Sequence, residues 1–597
     1  MIKLLRLWKK KDWALFALAL VFIAGGVWMD LSIPRYLGRI TELVTTPNDY
    51  GIGEVWLQGA YMIAFAIGSL LTAFVVAWAG AKLSANHSAN MRKVIYEKVN
   101  DFSLSDIKKY SVPSLITRST NDVTNVRMVI AMTIQIVIRV PIVIIWAILR
   151  MTSVSAELSI VTAAAVAAIL IMAVVLVLLV LPRFKRIQEN TDRLNLESRE
   201  NLTGIRVVRA YNAERFEQSK FGRTNEKLAK DNLFLNRAMG MAAPFIALVM
   251  SLLTVAIYWL GSYMIDSGRV SEIAAGGFFA DMMVFTQYSF QIIGAFIMAI
   301  MVFTMLPSAM VSAKRINEVL ATKPSIVDDV KTNTTLKDAF NQDGTIKFSG
   351  VDYKYPGAKE NVLSDIEIEI KKGQTVAFIG STGCGKSTLV NLLPRIADPT
   401  SGVVTIGGVN VNDVTGEELN DFVGYIPQKA TLFSGTIKEN IAFGEVEGKA
   451  PSDEEIEKAL KTAQAWEFVS KLDDGINSRV EQGGKNFSGG QKQRLSIARS
   501  IARQPKVFIF DDTFSALDYK TDKILRETLK SEIKDATVLI VAQRIGTIRG
   551  TDQIFVMDRG QIVSRGKHEE LLKSCEVYQQ IARSQLSDEE LAKGGAA

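Results

Sequence analysis

The chain has little that would mark a disulfide-linked or a nucleic-acid-binding protein. It contains only two cysteines, Cys384 and Cys575, and Cys384 lies inside a glycine-rich loop. A structural disulfide is therefore not expected, and a reducing compartment is predicted. No long run of lysine and arginine occurs, and the excess of 69 basic over 62 acidic residues gives a net charge of only +7. This modest excess argues against nucleic acid as a partner and suits contact with anionic lipid headgroups of a bilayer.

Length and the distribution of apolar residues predict a membrane domain in the first half. At 597 residues the chain is long enough for more than one domain. Six apolar segments are each long enough to cross a hydrocarbon core, which needs about 20 residues. A buried core helix is the alternative for any one segment, but it does not explain six of them in one half of the chain. The predicted spans are Trp13–Ile33, Val55–Ala79, Val129–Leu149, Leu158–Leu181, Ala243–Ile265 and Gly277–Phe303.

The connections between the spans differ in length and charge. Residues 82–127 and 182–241 form long connections rich in lysine and arginine, whereas 34–54, 150–157 and 266–276 are short and nearly balanced in charge. Because basic residues concentrate on the cytoplasmic side, both termini and both long connections are predicted to be cytoplasmic. The basic start, which has no small-residue cleavage site, is predicted to be a retained anchor. We expect a multi-pass protein of the plasma membrane.

Five polar side chains lie within or near the predicted spans. They are Asp30, Gln135, Arg139, Gln287 and Gln291. Intramembrane polar groups are functional candidates by default, and pairing within the helix bundle is the alternative. For Arg139 the structural role is favoured. For Gln287 and Gln291, which lie four residues apart on one helical face, cavity lining and helix–helix hydrogen bonding both remain open.

The second half begins after a polar stretch that contains Pro324. The domain limits predicted from these changes in composition are 1–321 for the membrane domain, 322–344 for a linker, 345–585 for a soluble domain and 586–597 for a tail. Within the soluble domain, residues 375–379 are predicted to form a buried strand, and 389–393 the start of a helix.

A phosphate-binding loop lies between that strand and that helix. Residues 380–388 fit the pattern G-x-x-x-x-G-K-[ST] in full. The glycines let backbone N–H groups turn toward phosphate oxygens, Lys386 reaches the β- and γ-phosphates, and the Ser387 hydroxyl can ligate Mg²⁺. The predicted phosphate-binding residues are Gly380, Ser381, Thr382, Gly383, Cys384, Gly385, Lys386, Ser387 and Thr388.

Two further features belong to the same predicted site. Val507–Phe510 is an apolar strand that ends in Asp511 and Asp512, and an acid at that position can hold the Mg²⁺ ion of a P-loop site. Tyr355 precedes the loop at a place suited to stacking on adenine. A tyrosine of the domain core is the alternative for Tyr355.

Ser488-Gly489-Gly490-Gln491, continued by Lys-Gln-Arg, resembles the signature motif of ATP-binding-cassette (ABC) proteins. Together with the P-loop, Gln428 of the Tyr-Ile-Pro-Gln segment and Asp511, this resemblance covers residues 345–580. The first half resembles the membrane domain of ABC exporters. The fold implied is an α-helical membrane domain, with six transmembrane helices and long cytoplasmic extensions, followed by an α/β P-loop ABC ATPase domain. Residues 114–123 and 204–211 resemble the coupling segments of that family.

The resemblance also implies cofactors and a partner. ATP with Mg²⁺ is expected, with Ser387, Gln428 and Asp511 as the metal ligands. In the family each ATP lies between one chain's P-loop and the signature of a second chain, so Ser488 to Gln491 are expected to serve a partner's nucleotide. One chain supplies half of such an assembly, and a second half-transporter chain is implied.

Two residues depart from the family pattern, and both concern hydrolysis. The position after Asp511 is usually Glu, the general base, but here it is Asp512, whose carboxylate lies about 1.5 Å further back. The switch position is usually His, but here it is Gln543, which cannot relay a proton. Asp512, Gln543 and Gln428 are therefore the catalytic candidates, in a site that is predicted to bind ATP and to hydrolyse it poorly.

Three interpretations follow from these departures. The favoured one is a heterodimeric exporter, in which this chain has the degenerate site and lends its signature to an active one. A homodimeric exporter with two active sites is the first alternative, and a nucleotide-binding membrane sensor is the second. Phe290, Phe296 and Phe303 would suit amphipathic or drug-like substrates, although lipid-facing or packing roles fit them equally.

Overall fold

The computed structural model describes residues 2–45, 52–152, 155–270, 275–327, 335–444, 449–533 and 535–586. Two compact units result, one formed by residues up to 99 with 113–322, the other by 100–112 with the residues from 323 onward. Several predicted segments lie partly outside the described residues: the short loops at 46–51, 153–154 and 271–274, the linker at 328–334 and the tail at 587–597. The side chain of Phe303 also lies outside them. The predicted domain limits therefore stay predictions.

Long apolar helices make up the first unit and confirm the six predicted spans. The helical segments that are long and apolar enough to cross a membrane have 36 to 53 residues each. At about 1.5 Å per residue the longest reaches about 80 Å, so these helices continue well beyond a hydrocarbon core. The helices up to residue 321, of which only α4 belongs to the second unit, are α1 (Ile2–Leu5), α2 (Lys10–Thr45), α3 (Ile52–Asn100), α4 (Leu104–Tyr110), α5 (Val112–Ser119), α6 (Asn121–Met132), α7 (Arg139–Thr152), α8 (Ala156–Thr203), α9 (Ile205–Ala210), α10 (Glu214–Gly240), α11 (Ala242–Asp266) and α12 (Ala275–Ala321).

The third span has an irregularity that the sequence did not predict. A π-helical turn, Thr133–Val137, separates α6 from α7, and the Ile138 N–H donates to the Thr133 carbonyl. Just beyond this turn, Arg139 forms an ion pair with Asp30 of α2, and the Ser69 hydroxyl of α3 donates to the same carboxylate. Pairing within the bundle, the structural alternative for Arg139 and Asp30, is thus what the structure contains.

The short helix α4 belongs with the second unit. The Asp106 carboxylate at its first turn accepts hydrogen bonds from the Ser103 N–H (3.1 Å) and the Ser325 N–H (2.9 Å). The coupling segment predicted at 114–123 lies in α5 and α6. Helix α4 was not predicted from the sequence. The second predicted coupling segment, 204–211, contains α9.

Two sheets form the frame of the second unit. The first has the antiparallel order β2-β1-β4-β5, and the second has the order β12-β11-β3-β10-β9-β6. In the second sheet β11, β3, β10, β9 and β6 are parallel. The strands are β1 (Thr345–Tyr353), β2 (Leu363–Lys371), β3 (Thr375–Gly380), β4 (Ser401–Ile406), β5 (Val409–Asn410), β6 (Val423–Ile426), β7 (Gly435–Thr436), β8 (Arg479–Val480), β9 (Val507–Asp511), β10 (Thr537–Val541), β11 (Gln553–Asp558) and β12 (Gln561–Gly566).

The parallel sheet decides where the predicted site residues lie. Strands β9 and β10 are buried at every position, as expected for a parallel sheet covered on both faces. Since the carboxyl ends of parallel strands share one edge, the loops after β3, β6, β9 and β10 leave the sheet at the same side. The helices of this unit after residue 335 are α13 (Leu336–Gln342), α14 (Lys386–Val390), α15 (Gly416–Phe422), α16 (Ile437–Ile441), α17 (Asp453–Thr462), α18 (Trp466–Val469), α19 (Gly489–Ala502), α20 (Tyr519–Glu532), α21 (Ile545–Ile548), α22 (His568–Ser574) and α23 (Glu576–Arg583).

A buried polar pair joins the last two helices. His568 at the start of α22 lies 2.6 Å from the Tyr578 hydroxyl of α23, measured from the Nδ1 atom, and both residues are buried. Burial raises the pKa of the Tyr578 hydroxyl, which therefore stays protonated. The second ring nitrogen of His568 has no hydrogen-bond partner within the described part of the chain. Within the described residues, the Tyr578 hydroxyl is thus the hydrogen-bond partner on which the buried His568 ring depends.

Replacing Tyr578 by Phe should loosen this helix pair. The change removes the hydrogen-bond partner of His568 Nδ1, so that both ring nitrogens are unsatisfied, which costs about 1–3 kcal/mol of local stability. Hydrogen exchange of the full-length protein should then show faster exchange in α22 and α23. Tyr519→Phe is the control, because Tyr519 is 75% exposed and its change should leave exchange unaltered. Equal exchange in the two variants would contradict the assigned role of the pair.

Candidate nucleotide site

The phosphate-binding loop has the predicted geometry, with one difference in the helix start. Strand β3 ends at Gly380, one residue after the predicted end, and α14 begins at Lys386 and not at residue 389. Gly383 and Gly385 have φ values of +87° and +101°, a region that favours glycine. A Cβ atom at Gly380 would lie 2.1 Å from the Met557 carbonyl oxygen, so only glycine fits there. The loop is therefore a tight backbone turn that ends in a helix N-terminus.

Lys386 is held against this loop. Its ammonium donates to the carbonyl oxygens of Gly380 and Ser381, each at 2.9 Å, and the residue is 7% exposed. The third donor of the ammonium lies 3.7 Å from the Cys384 sulfur, a weak acceptor that a phosphate oxygen would replace. The side chain is thus pre-positioned over the loop that is predicted to bind the phosphates.

Ser387 and Asp511 provide neighbouring oxygen ligands. The Ser387 hydroxyl donates to Asp511 Oδ1 at 2.7 Å, and the Tyr425 hydroxyl donates to Asp511 Oδ2 at 3.1 Å. Burial raises the pKa of the Asp511 carboxyl, and burial with the nearby Asp511 charge raises the pKa of Tyr425, which stays a donor. A hydroxyl and a carboxylate in contact suit Mg²⁺, which prefers oxygen ligands. No role for Tyr425 was predicted from the sequence, although it lies in the Tyr-Ile-Pro-Gln segment.

Asp512 joins the other two catalytic candidates. Its Oδ2 atom accepts hydrogen bonds from Gln428 Nε2 at 2.9 Å and from Gln543 Nε2 at 2.8 Å. Asp512 has φ +48°, a strained conformation for a residue other than glycine, and burial raises the pKa of its carboxyl. Gln428 was predicted as a metal ligand, yet its amide nitrogen contacts Asp512, not the Ser387–Asp511 pair. The structure thus groups Gln428, Asp512 and Gln543, named the hydrolysis cluster after their predicted role, and the role of Gln428 as a metal ligand stays a prediction.

Tyr355 lies beside the loop with an accessible ring. Its hydroxyl is 3.1 Å from the Thr388 Oγ1 atom, and the Lys108 ammonium of α4 lies 5.4 Å from the ring centre. The residue is 37% exposed, which favours stacking on adenine over the core alternative. Lys108 is a neighbour that the sequence did not predict, because it comes from the connection between two spans.

The signature residues begin helix α19. The Ser488 hydroxyl accepts from the Gln491 N–H, and the Gln491 side chain accepts from the Ser488 N–H at 2.9 Å, which completes a capping box. A Cβ atom at Gly489 would meet open space. In the ranges that the structure describes, no hydrogen bond joins residues 488–491 to the P-loop. Gln493, one turn further on, donates instead to the carbonyl oxygen of Pro427 at 3.1 Å, which ties α19 to the Gln428 loop.

Comparisons with known proteins agree with this arrangement. Residues 16–305 match the family of ABC transporter transmembrane regions, and residues 363–515 match the ABC transporter family. An uncharacterized ABC transporter ATP-binding protein of Mycobacterium tuberculosis is 36% identical over 529 residues, which is 88% of each chain. The chain belongs to the ABC transporter family. A second member, the uncharacterized YfiB of Bacillus subtilis, is 33% identical over 583 residues and aligns with 97% of this ABC transporter and 98% of its own length.

The fold of this ABC transporter is also that of a solved structure. A bacterial Atm1-family ABC exporter with ATP bound superposes with a TM-score of 0.77 at 21% identity, over 96% of this chain and 98% of the other. The chain is thus an ABC half-transporter with an exporter fold, which carries one membrane region and one ATPase domain and acts as a dimer in a membrane. The ATPase domain binds ATP with Mg²⁺.

Proposed function

We propose that this chain is one subunit of a heterodimeric ATP-driven exporter and that its own P-loop site hydrolyses ATP poorly. The proposal rests on one observation, the position of the Asp512 carboxylate. Asp512 is one methylene shorter than the Glu that the family uses, and its Oδ2 atom already accepts two amide hydrogen bonds. A general base must reach its water within about 3 Å, so a short and doubly bound carboxylate is poorly suited to that step.

The residues expected to bind ATP support the same proposal, because they are all present. Lys386 lies over the loop, and Ser387 contacts Asp511. When bound, Mg²⁺ would neutralise phosphate charge, and the hydroxyl of Ser387 and the carboxylate of Asp511 are the oxygens that would hold it. Gln543 can orient a phosphate or a water by hydrogen bonds, but it cannot exchange a proton at neutral pH. Binding without efficient hydrolysis is the expected behaviour of this site.

The signature supports the second half of the proposal. Ser488 caps a regular helix, and Gly489 leaves its N-terminus open to an anion, so this chain can complete the site of a partner. The partner would carry Glu and His at the positions of Asp512 and Gln543. In this scheme ATP binding closes the two ATPase domains, the membrane helices change from an inward to an outward opening, and amphipathic substrates leave the cytoplasm across the plasma membrane.

The test compares the full-length chain alone with the chain co-purified with a half-transporter that has the catalytic Glu. We expect slow hydrolysis by the chain alone and rapid hydrolysis by the pair. Asp512→Asn should leave most activity of the pair intact, whereas removing the partner's Glu should abolish it. Rapid turnover by the chain alone, lost in Asp512→Asn, would instead identify a homodimer with two active sites. If the co-purified pair, reconstituted in vesicles, moves no substrate when ATP is added, the result would favour a nucleotide-binding membrane sensor.

A further inference from the structure

A side chain beyond the last helix holds the segment that carries Gln543. Gln585 follows α23, and its Oε1 atom accepts a hydrogen bond from the Ile545 N–H at 2.9 Å. Its Nε2 atom donates to the carbonyl oxygen of Gln543 at 2.7 Å. One amide therefore bridges two backbone groups on either side of Arg544. The Gln543 side chain in turn donates to Asp512.

Helix α21 needs this contact because it lacks a cap of its own. It has only four residues, and the residue before it, Arg544, makes no side-chain capping hydrogen bond. The first N–H groups of a helix have no partner inside the helix and need one from elsewhere. Gln585 supplies that acceptor from a position 40 residues further along the chain. The loop between β10 and α21 is thus fixed by another element and not by its own sequence.

The other side of the same helix has a second support. Arg526 of α20 donates to the carbonyl oxygen of Gly546 at 3.2 Å, and Asp522 orients its guanidinium through two hydrogen bonds of 2.9 and 3.1 Å. Arg526 contacts the backbone of α21, whereas Gln585 contacts both α21, at Ile545, and the backbone of Gln543. Gln585 is therefore the residue that directly fixes the backbone of Gln543, whose side chain contacts Asp512.

We propose that Gln585 is a positioning residue for the switch: it fixes the backbone of Gln543 and so sets where the Gln543 amide meets Asp512. This inference rests on the hydrolytic role proposed above for Gln543 and Asp512. It adds a link from the C-terminal helix pair, which the His568–Tyr578 contact holds together, to the hydrolysis cluster. Gln585 itself touches neither the P-loop nor the Ser387–Asp511 pair in the described ranges, so it is not expected to affect ATP binding.

Hydrogen exchange tests the contact itself. In full-length Gln585→Ala the Ile545 amide should exchange about tenfold faster, since its acceptor is replaced by water. Gln585→Glu keeps the acceptor and should retain protection. Gln580→Ala is the matched control, because among the described residues the Gln580 side chain hydrogen-bonds to Glu576 of its own helix and not to the segment 543–545. Unchanged exchange at Ile545 in Gln585→Ala would overturn the proposal.

A double-mutant cycle tests the route through Gln543. We expect Gln585→Ala to slow single-turnover ATP hydrolysis by the full-length chain about tenfold, because the Gln543 amide, which can orient a phosphate or a water, would lose its fixed position, with no change in ATP affinity. Gln585→Glu should be slow as well, because a carboxylate cannot donate to the Gln543 carbonyl. The double variant Gln543→Ala/Gln585→Ala should be no slower than Gln543→Ala alone. Multiplicative losses, or a loss of affinity, would show a general structural role and overturn the proposal.

The outcomes remain separate from those of the proposed function. If the chain proves to be an active homodimer, hydrolysis is fast in place of slow, yet the same non-additivity is expected. If the chain is a sensor, the exchange experiment still reports the hydrogen bond, and the cycle still reports the coupling through single-turnover rates.

Discussion

Replacing Asp512 by Glu should raise the rate of ATP hydrolysis at this chain's own P-loop site about 100-fold. The extra methylene moves the carboxylate forward by about 1.5 Å, which is the difference between reaching and missing a water within hydrogen-bond distance. Gln428 and Gln543 both donate hydrogen bonds to Oδ2 of Asp512. The carboxylate of a longer Glu side chain would extend beyond the reach of these two amides. The residues that bind ATP are unchanged, so the gain should fall on turnover.

Single-turnover measurements on the full-length chain, with saturating Mg-ATP, would detect this gain. Asp512→Asn is the control, because it keeps the size of the side chain and removes the base. The combination Asp512→Glu/Gln543→His should be faster still and should gain a pH dependence near pH 6.5, the usual titration range of histidine. An Asp512→Glu variant no faster than the unaltered chain would show that side-chain length does not limit this site.

Lys386→Ala should weaken the binding of Mg-ATP about 100-fold. The ammonium lies over the loop with two donors on the Gly380 and Ser381 carbonyls, and we expect it to supply charge-assisted hydrogen bonds to phosphate oxygens. Its removal also leaves these two loop carbonyls without their hydrogen-bond donor. The backbone N–H groups of the loop should then be less well ordered for binding an anion.

Equilibrium binding of Mg-ATP to the full-length chain measures this loss. Lys372→Ala is a suitable control, because the Lys372 ammonium bonds to Asn341 and not to the loop. Its affinity for ATP should match that of the unaltered chain. If Lys386→Ala binds Mg-ATP within twofold of the control, the loop does not contribute to ATP binding as proposed.

The local parts of the site could be predicted from sequence. The loop at 380–388 carries its own geometry, because glycine positions and a helix start are encoded within nine residues. The acidic end of β9 followed from an apolar run that ends in Asp511. Once these segments are assigned to parallel strands, their meeting at one sheet edge follows from topology. The contact of Ser387 with Asp511 is thus a consequence of local patterns plus strand direction.

Other parts could not be predicted, because they depend on contacts between distant segments. Tyr425 meets Asp511 across 86 residues of chain, and Gln585 meets Gln543 across 42. Neither side chain has a local pattern that points to its partner. The placement of Gln428 beside Asp512 likewise depends on strand order in the sheet. The assignment of α4 to the second unit depends on Asp106 and Ser325, which are separated by 219 residues.

The ion pair between Asp30 and Arg139 has a consequence for how the polypeptide enters the bilayer. The two charges are 109 residues apart in sequence, so at ribosomal speeds the acid emerges about 5–20 s before its partner. A lone charge costs about 3 kcal/mol of insertion free energy at the centre of a membrane span and less near its end, where Asp30 lies. We therefore expect the first span to be held less firmly in the bilayer until the third has been made, and nascent chains stalled between these two points to be the ones most easily extracted.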